Sequence, residues 1–415
     1  MNKIIYLFVS FCIYCNMYGQ LTQVKELSLN NAIEIALKKN PELNSSFEKI
    51  NASKGKFWSS ISLPMPEVGI SYEFIPKNLK LNNYSEKTLE IKQSMDFPTN
   101  YFLRGAKSNK ETGIAEYEHK ANVQTIILKI KSAYFNALAK AQAIKTAGEN
   151  LAITEDFYKK ACIRYDVGEG TNLEKLTAKV QYTEALNNLD VLKNQMSLAF
   201  AEINFALGYG KNNGQEFILS DSLTDSSFDY TFEKLVDISD KSNPAIKASE
   251  LKQKSASIDK LLAWSNLLPG FNFSYLKQFR DGDNGFYGAS FGISIPLWFM
   301  LDQRGKIEES SALESVSGSE FEQVKNAVYL KIKSMFTDYK NSEKQVQLYK
   351  NEILPQSVEV FQTASKSYDA GEITYLEYLQ AKQILINSRS NYINILLNYN
   401  LALASLEEAV GENLK

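Results

Sequence analysis

The 415-residue chain carries 46 basic and 48 acidic side chains, a net charge of −2, which excludes the basic footprint of a nucleic-acid binder. Hydrophobic residues make up 44% and only 20 glycines and 9 prolines interrupt them, so long helices are expected rather than a turn-rich all-β fold. One histidine and, beyond residue 19, one cysteine supply no common zinc site or Cys–His pair, and no Walker-type phosphate loop is present, so neither an enzyme nor a cofactor is expected.

Residues 1–19 read as a signal peptide: Lys3 supplies the positive end, Ile4 to Tyr14 the apolar core, and Gly19 a small residue suited to cleavage. The apolar run is too short for a membrane-spanning helix. Cys12 and Cys15 lie inside this segment without the small-residue pattern of a lipid-attachment cysteine. The mature chain then keeps Cys162, whose plainest role is helix packing.

Residues 20–208 form a first structural repeat. Its opening helix starts near Leu29, with Ser28 as cap, and is expected to continue past Pro41 to about Ser62. The period then changes to two. Strands are expected at about 66–75 and 87–97, with Val68, Ile70, Tyr72 and Phe74 opposing Glu67, Gly69, Ser71 and Glu73. Leu89, Ile91, Met95 and Phe97 likewise oppose Thr88, Glu90, Lys92, Ser94 and Asp96, and Pro76 to Ser85 make a polar hairpin tip. From Tyr101 to Leu207 no proline appears, which predicts two long helices around a glycine turn, with a stripe through Leu186, Leu189, Met196, Phe200, Ile203 and Leu207. His119, in Glu116-Tyr117-Glu118-His119-Lys120, is read as part of a solvated helix face.

A linker over 209–230 leads to a second repeat at 231–415. Its helix is expected from about Phe232 to Leu267 and its strands at about 270–280 and 286–296 around the tip Asp281 to Gly285. Helices follow from Arg304, with a seam predicted through Leu376, Leu379, Gln383, Ile386, Ser390, Ile393 and Leu397. At about 1.5 Å per residue, helices of some thirty residues reach about 45 Å, longer than a globular core needs.

The halves agree best at one turn. Tyr165-Asp166-Val167-Gly168-Glu169-Gly170-Thr171-Asn172-Leu173-Glu174 returns as Tyr368-Asp369-Ala370-Gly371-Glu372-Ile373-Thr374-Tyr375-Leu376-Glu377. Asn40-Pro41, Leu63-Pro64 and Arg104-Gly105 return as Asn243-Pro244, Leu268-Pro269 and Arg304-Gly305. A step of about 200 residues is a duplicated domain, not a solenoid period.

Strands of about ten residues with one apolar and one polar face have the length of tilted membrane strands. Aromatic residues gather toward their ends, Trp298 among them, as an interfacial girdle requires. Four strands cannot close a barrel, and an open edge is not tolerated in lipid. Three copies supply a 12-stranded wall wide enough for a lumen.

In this order and spacing, the duplication, the strand pair in each half and the Tyr-x-x-Gly-x-x-Thr-x-Leu-Glu turn, the chain resembles the TolC-type outer-membrane efflux family. The resemblance implies a mainly α protein with a membrane β-barrel part. The duplicated helix–β-hairpin–helical-hairpin unit would trimerise into a 12-stranded barrel continued by a long periplasmic α-barrel. It implies a passive exit duct of a tripartite pump in the Gram-negative outer membrane, served by a periplasmic adaptor and an inner-membrane pump of the resistance-nodulation-division type. Its surroundings would be outer-membrane lipid, and its cargo metal ions or small toxic compounds. Pro64-Met65-Pro66-Glu67 looks like the Pro-x-Pro-Glu element of the cobalt–zinc–cadmium branch. The resemblance also implies that Gly168, Thr171, Gly371 and Thr374 lie at adaptor-contacting tips, and that Glu377, Gln380 and Glu174 line the periplasmic entrance. Where the family's name-giving member carries acidic residues at both second-half positions, this chain has Gln380 at one. The alternative reading is a soluble periplasmic coiled-coil adaptor or scaffold, which accounts for the helical hairpins but not for two equally placed strand pairs.

Overall fold

The computed structural model describes residues 25–75, 84–210, 214–225, 229–280, 285–297 and 301–414. The expected signal peptide, residues 76–83 and 281–284 of the two hairpin tips, Trp298 and parts of the linker lie outside the described residues. Packing divides the chain into two compact units, each assembled from separated segments. The first takes the chain through Leu43, Val123–Ser239 and Lys331–Lys415; the second takes Asn44–Asn122 and Asp240–Leu330.

In chain order the elements are β1 (Lys25–Leu27), α1 (Leu29–Lys39), α2 (Pro41–Ile61), β2 (Glu67–Glu73), β3 (Glu86–Met95), α3 (Pro98–Asp166) and α4 (Asn172–Ala206). After β4 (Phe217–Leu219) come α5 (Phe232–Ser242), α6 (Pro244–Ser265), β5 (Gly270–Arg280), β6 (Phe286–Ser294) and α7 (Asp302–Leu348). A π-helical turn, Tyr349–Ile353, joins α7 to α8 (Leu354–Asp369), and α9 (Tyr375–Val410) follows. No helix of the described residues is long and apolar enough to cross a membrane.

The opening helix of each half, expected to be continuous, is broken at an asparagine. Asn40 and Asn243 are extended, with ψ 123° and 121°. Each is followed by proline at the first helical position, where its missing N–H costs nothing. The Asn40 side chain accepts from Glu42 N at 2.8 Å and donates to Ala206 O at 3.1 Å, while Asn243 Oδ1 accepts from Ala245 N at 2.9 Å. A buried side chain thus caps the new helix and outcompetes continuation of the old one.

In the first unit β1 pairs with β4 in parallel. The core beneath it combines Leu27, Ala32, Ala36, Ile126, Ile130, Tyr134, Ala137, Ile203 and Leu207. Alanines bring the helix backbones close, and the buried Tyr134 hydroxyl lies 2.9 Å from Leu27 O and 2.7 Å from Asp221 Oδ2. The same Asp221 oxygen accepts from Leu29 N at 2.8 Å, satisfying an orphan amide at the start of α1.

The second unit carries a four-stranded antiparallel sheet in the order β2-β3-β5-β6, leaving β2 and β6 as its edges. Directly opposed residues share a face. The register Val68↔Ile91↔Tyr275↔Ala289 and the pairs Gln93↔Phe273↔Phe291 and Phe271↔Ile293 therefore lie on one side of the sheet. Glu67↔Lys92↔Ser274↔Ser290 and Ser94↔Asn272↔Gly292 lie on the other. Val68, Phe291 and Ile293 are 73%, 68% and 54% exposed, so this apolar face has no cover among the described residues. The helices of this unit are tied by Lys107–Asp259 at 2.7 Å and Lys260–Glu314 at 2.8 Å. His119 is only partly exposed here: Ser46 Oγ lies 2.7 Å from its Nδ1 and Phe47 meets the ring edge-on at 6.0 Å. It joins α3 to α2 and is not the solvated residue its charged neighbours suggested.

Candidate functional site at the helical-hairpin turns

In the first unit α3 and α4 meet at Gly168, and α8 and α9 at Gly371. Both turns close in the same way. Glu169 N donates to Arg164 O at 2.9 Å and Gly168 N to Tyr165 O at 3.1 Å; Glu372 N donates to Ser367 O at 2.8 Å and Gly371 N to Tyr368 O at 3.0 Å. These six-to-one and five-to-two bonds are Schellman closures, which need a left-handed residue at the pivot. Gly168 has φ 82° and Gly371 φ 76°. Three residues on, Thr171 and Thr374 cap α4 and α9, accepting from the amides of Glu174 and Glu377.

Beyond the turns the two repeats use their equivalent glutamates differently. Glu377 is exposed and returns the cap, accepting from Thr374 N at 2.7 Å and Thr374 Oγ1 at 2.8 Å. The backbone bond, with the hydroxyl, holds its carboxyl below the usual carboxylate range. Glu174 instead accepts from the Tyr368 hydroxyl, and Arg164 Nη1 donates to that oxygen at 3.1 Å. Glu174 is therefore drawn into contacts within the chain. Glu377 and Gln380 border one open groove of about 680 Å³ between α8 and α9, with Glu359, Thr363 and Ser367 along it. Glu174 does not share that groove.

Around these turns the two hairpins are held together by an aromatic cluster. Phe157 stacks on Tyr375 at 4.8 Å and on Tyr378 at 5.3 Å, with Tyr368 at 5.7 Å and Ala161 and Ala178 filling the gaps. Burial pushes the Tyr375 and Tyr378 hydroxyls up to about 12. One turn further Lys382 is buried, and desolvation pushes its amine down to about 8, against a smaller opposing pull from Glu184. Sequence reasoning singled out none of Arg164, Phe157, Tyr378 or Lys382. Tyr368 stood in the repeated motif, but its repeat partner Tyr165 is 40% exposed and contacts Lys175, so repetition alone concealed their different roles.

The predicted seam on α9 holds in part: Ile393 is buried and Leu379, Ile386 and Leu397 are half-buried. Leu376 is 64% exposed, and Gln383 and Ser390 are exposed too, whereas Tyr378, Ala381, Lys382, Leu385, Leu396 and Tyr399 are buried. On α4, Ile203 and Leu207 are buried as expected but Leu186 is exposed. Among the described residues no group of three His, Cys, Asp or Glu side chains is placed to hold a metal ion.

Long helical hairpins in one unit and a four-stranded amphipathic sheet in the other are the parts of a TolC-type channel protomer. The solved structure of CusC matches with a TM-score of 0.79 at 17% identity, covering 95% of this chain and 94% of that one. The outer membrane efflux protein family model matches twice, at residues 32–209 and 235–412, and the chain belongs to that family. Outer membrane protein TolC of Escherichia coli is 22% identical over 94% of this chain and 84% of its own length. The cobalt-zinc-cadmium resistance protein CzcC of Cupriavidus metallidurans is 21% identical over 93% of this chain and 90% of its own. The protein is thus an outer-membrane efflux protein of the Gram-negative envelope, with its helical part in the periplasm.

Proposed function

We propose that the protein is the passive exit duct of a tripartite efflux pump, acting as a homotrimer. The observation that carries this is the sheet: four strands with one uncovered apolar face and two unpaired edges. Lipid accepts such a face but no such edges, and β6 of one copy joined to β2 of the next removes them all. Three copies close a 12-stranded barrel, polar face inward, large enough for a water-filled lumen. Family membership favours this channel over the soluble adaptor or scaffold.

The paired turns at Gly168 and Gly371, with Thr171 and Thr374, are the surface offered to a periplasmic adaptor. Behind it stands an inner-membrane pump, of the resistance-nodulation-division type, that supplies the energy. Glu377 and Gln380, beside one groove and near the turns, are the entrance residues, and Glu174 braces them through Tyr368. The protein carries out no reaction of its own. Similarity to a cobalt-zinc-cadmium resistance protein, with Pro64-Met65-Pro66-Glu67 leading into β2, supports metal ions as cargo, with small toxic compounds as the broader class. The cargo passes through without a dedicated site.

The test is the size of the protein in detergent extracts of membranes, heated and unheated, by gel and by size exclusion. A trimer that resists salt washing, appears on detergent extraction and falls to monomers on heating is expected. A salt-soluble monomer would sink the duct and return the sheet to a soluble role.

A further inference from the structure

The apolar face of the sheet ends in two lysines. At the hairpin end of the strands the register places Tyr72↔Lys87↔Phe279 in one row and Leu89↔Lys277↔Tyr287 in the next, on the same face as Val68, Ile91 and Phe291. Lys87 and Lys277 are diagonal neighbours on adjacent strands, about 7–8 Å apart at the backbone. Every carboxylate on the four strands of this sheet, Glu67, Glu73, Glu86 and Glu90, belongs to the opposite face. There Glu86 is occupied by Gln278. The two amines instead lie over rings: Lys87 Nζ is 5.7 Å from the Tyr72 centroid, and Lys277 Nζ is 4.8 Å from Phe279 and 5.2 Å from Tyr287. Tyr84 packs edge-on against Tyr72 at 5.0 Å.

This pairing of amines with aromatic rings above an apolar surface is the chemistry of a membrane interface, where a lysine costs little but in mid-bilayer costs about 2–4 kcal/mol. The opposite ends of all four strands run into helices, so the lysine rows mark the end away from the helical, periplasmic side. We propose that Lys87 and Lys277 form a headgroup site for a phosphorylated glycolipid of the outer leaflet, its phosphate held by both amines and its acyl chains lying along Ile70, Ile91 and Tyr275. The inference rests on the reading of this sheet as barrel wall. Charge complementarity selects the occupant: two amines with no carboxylate from the described strands on their face attract an anionic headgroup, which a zwitterionic phospholipid supplies poorly.

The test compares wild type with the double variant Lys87→Gln, Lys277→Gln, both purified as full-length trimers in detergent. Each is offered lipid A, dephosphorylated lipid A or phosphatidylethanolamine, and bound lipid is counted by native mass spectrometry. Wild type should retain lipid A about 10-fold better than either other lipid, and the variant should lose that preference while keeping its trimer and its phosphatidylethanolamine. Equal retention of lipid A by variant and wild type overturns the site, as does equal retention of the dephosphorylated form by wild type. If wild type forms no trimer and holds no lipid at all, the barrel reading has failed and takes this inference with it.

Discussion

Glu377 shows how one side chain answers to two demands. Its carboxylate closes a capping box with Thr374, so truncation to alanine would both remove charge from the proposed entrance and loosen α9 by about 1 kcal/mol. Glutamine preserves the box, because an amide oxygen accepts the same bonds. Glu377→Gln should therefore reduce cation selectivity in planar-bilayer recordings without a change in thermal stability; unchanged selectivity removes the residue from the entrance. Lys382 poses a different question. Burial lowers its folded pKa to about 8, while an unfolded lysine holds its proton to about 10.4. Between these values the unfolded chain binds more protons, so stability rises with pH across that window. Below about pH 8 the buried charge is a standing cost, so Lys382→Met should stabilise the protein at pH 7 by about 1–3 kcal/mol. The gain should shrink toward pH 10, which unfolding curves at both pH values would reveal; a pH-independent gain would assign the effect to packing alone.

At the scale of elements, the glycine turns have room for a side chain but a backbone that resists one. Gly371 meets no neighbour that an added Cβ would strike, so a side chain there pays only for its positive φ. Gly371→Val should cost about 1–2 kcal/mol, leave trimers intact on size exclusion, and weaken capture of a periplasmic adaptor. Loss of the trimer itself would make the glycine a folding residue. These turns were legible because a repeated Gly-x-x-Thr places a pivot and a cap at fixed offset. The strands were legible because period-two alternation from Val68 to Tyr72 has no helical counterpart. The helix breaks at Asn40 and Asn243 were not, since proline is equally at home in a first helical turn, and the competing asparagine bonds appear only once the chain is folded. The expected α9 stripe holds at Ile393, but elsewhere the buried face runs through Tyr378, Ala381 and Tyr399, because close approach of helices favours small residues interleaved with rings. No local pattern could have paired Glu174 with Tyr368, nearly half the chain away.

For the whole molecule, the two free sheet edges have a genetic consequence. In the proposed trimer, joining β6 to β2 of the next copy is a head-to-tail contact, and each copy must serve both of its neighbours. A chain with prolines on the outer side of β2 would keep its own β2–β3 pairing yet refuse the adjoining copy. One such chain spoils the ring that admits it. Expressed in equal amount beside wild type, it should leave about one ring in eight free of the defect, since three places must all be filled correctly. Efflux should then fall far below half, and the mutant allele should be dominant. Recovery of half the activity would mean that defective copies are sorted out before rings close.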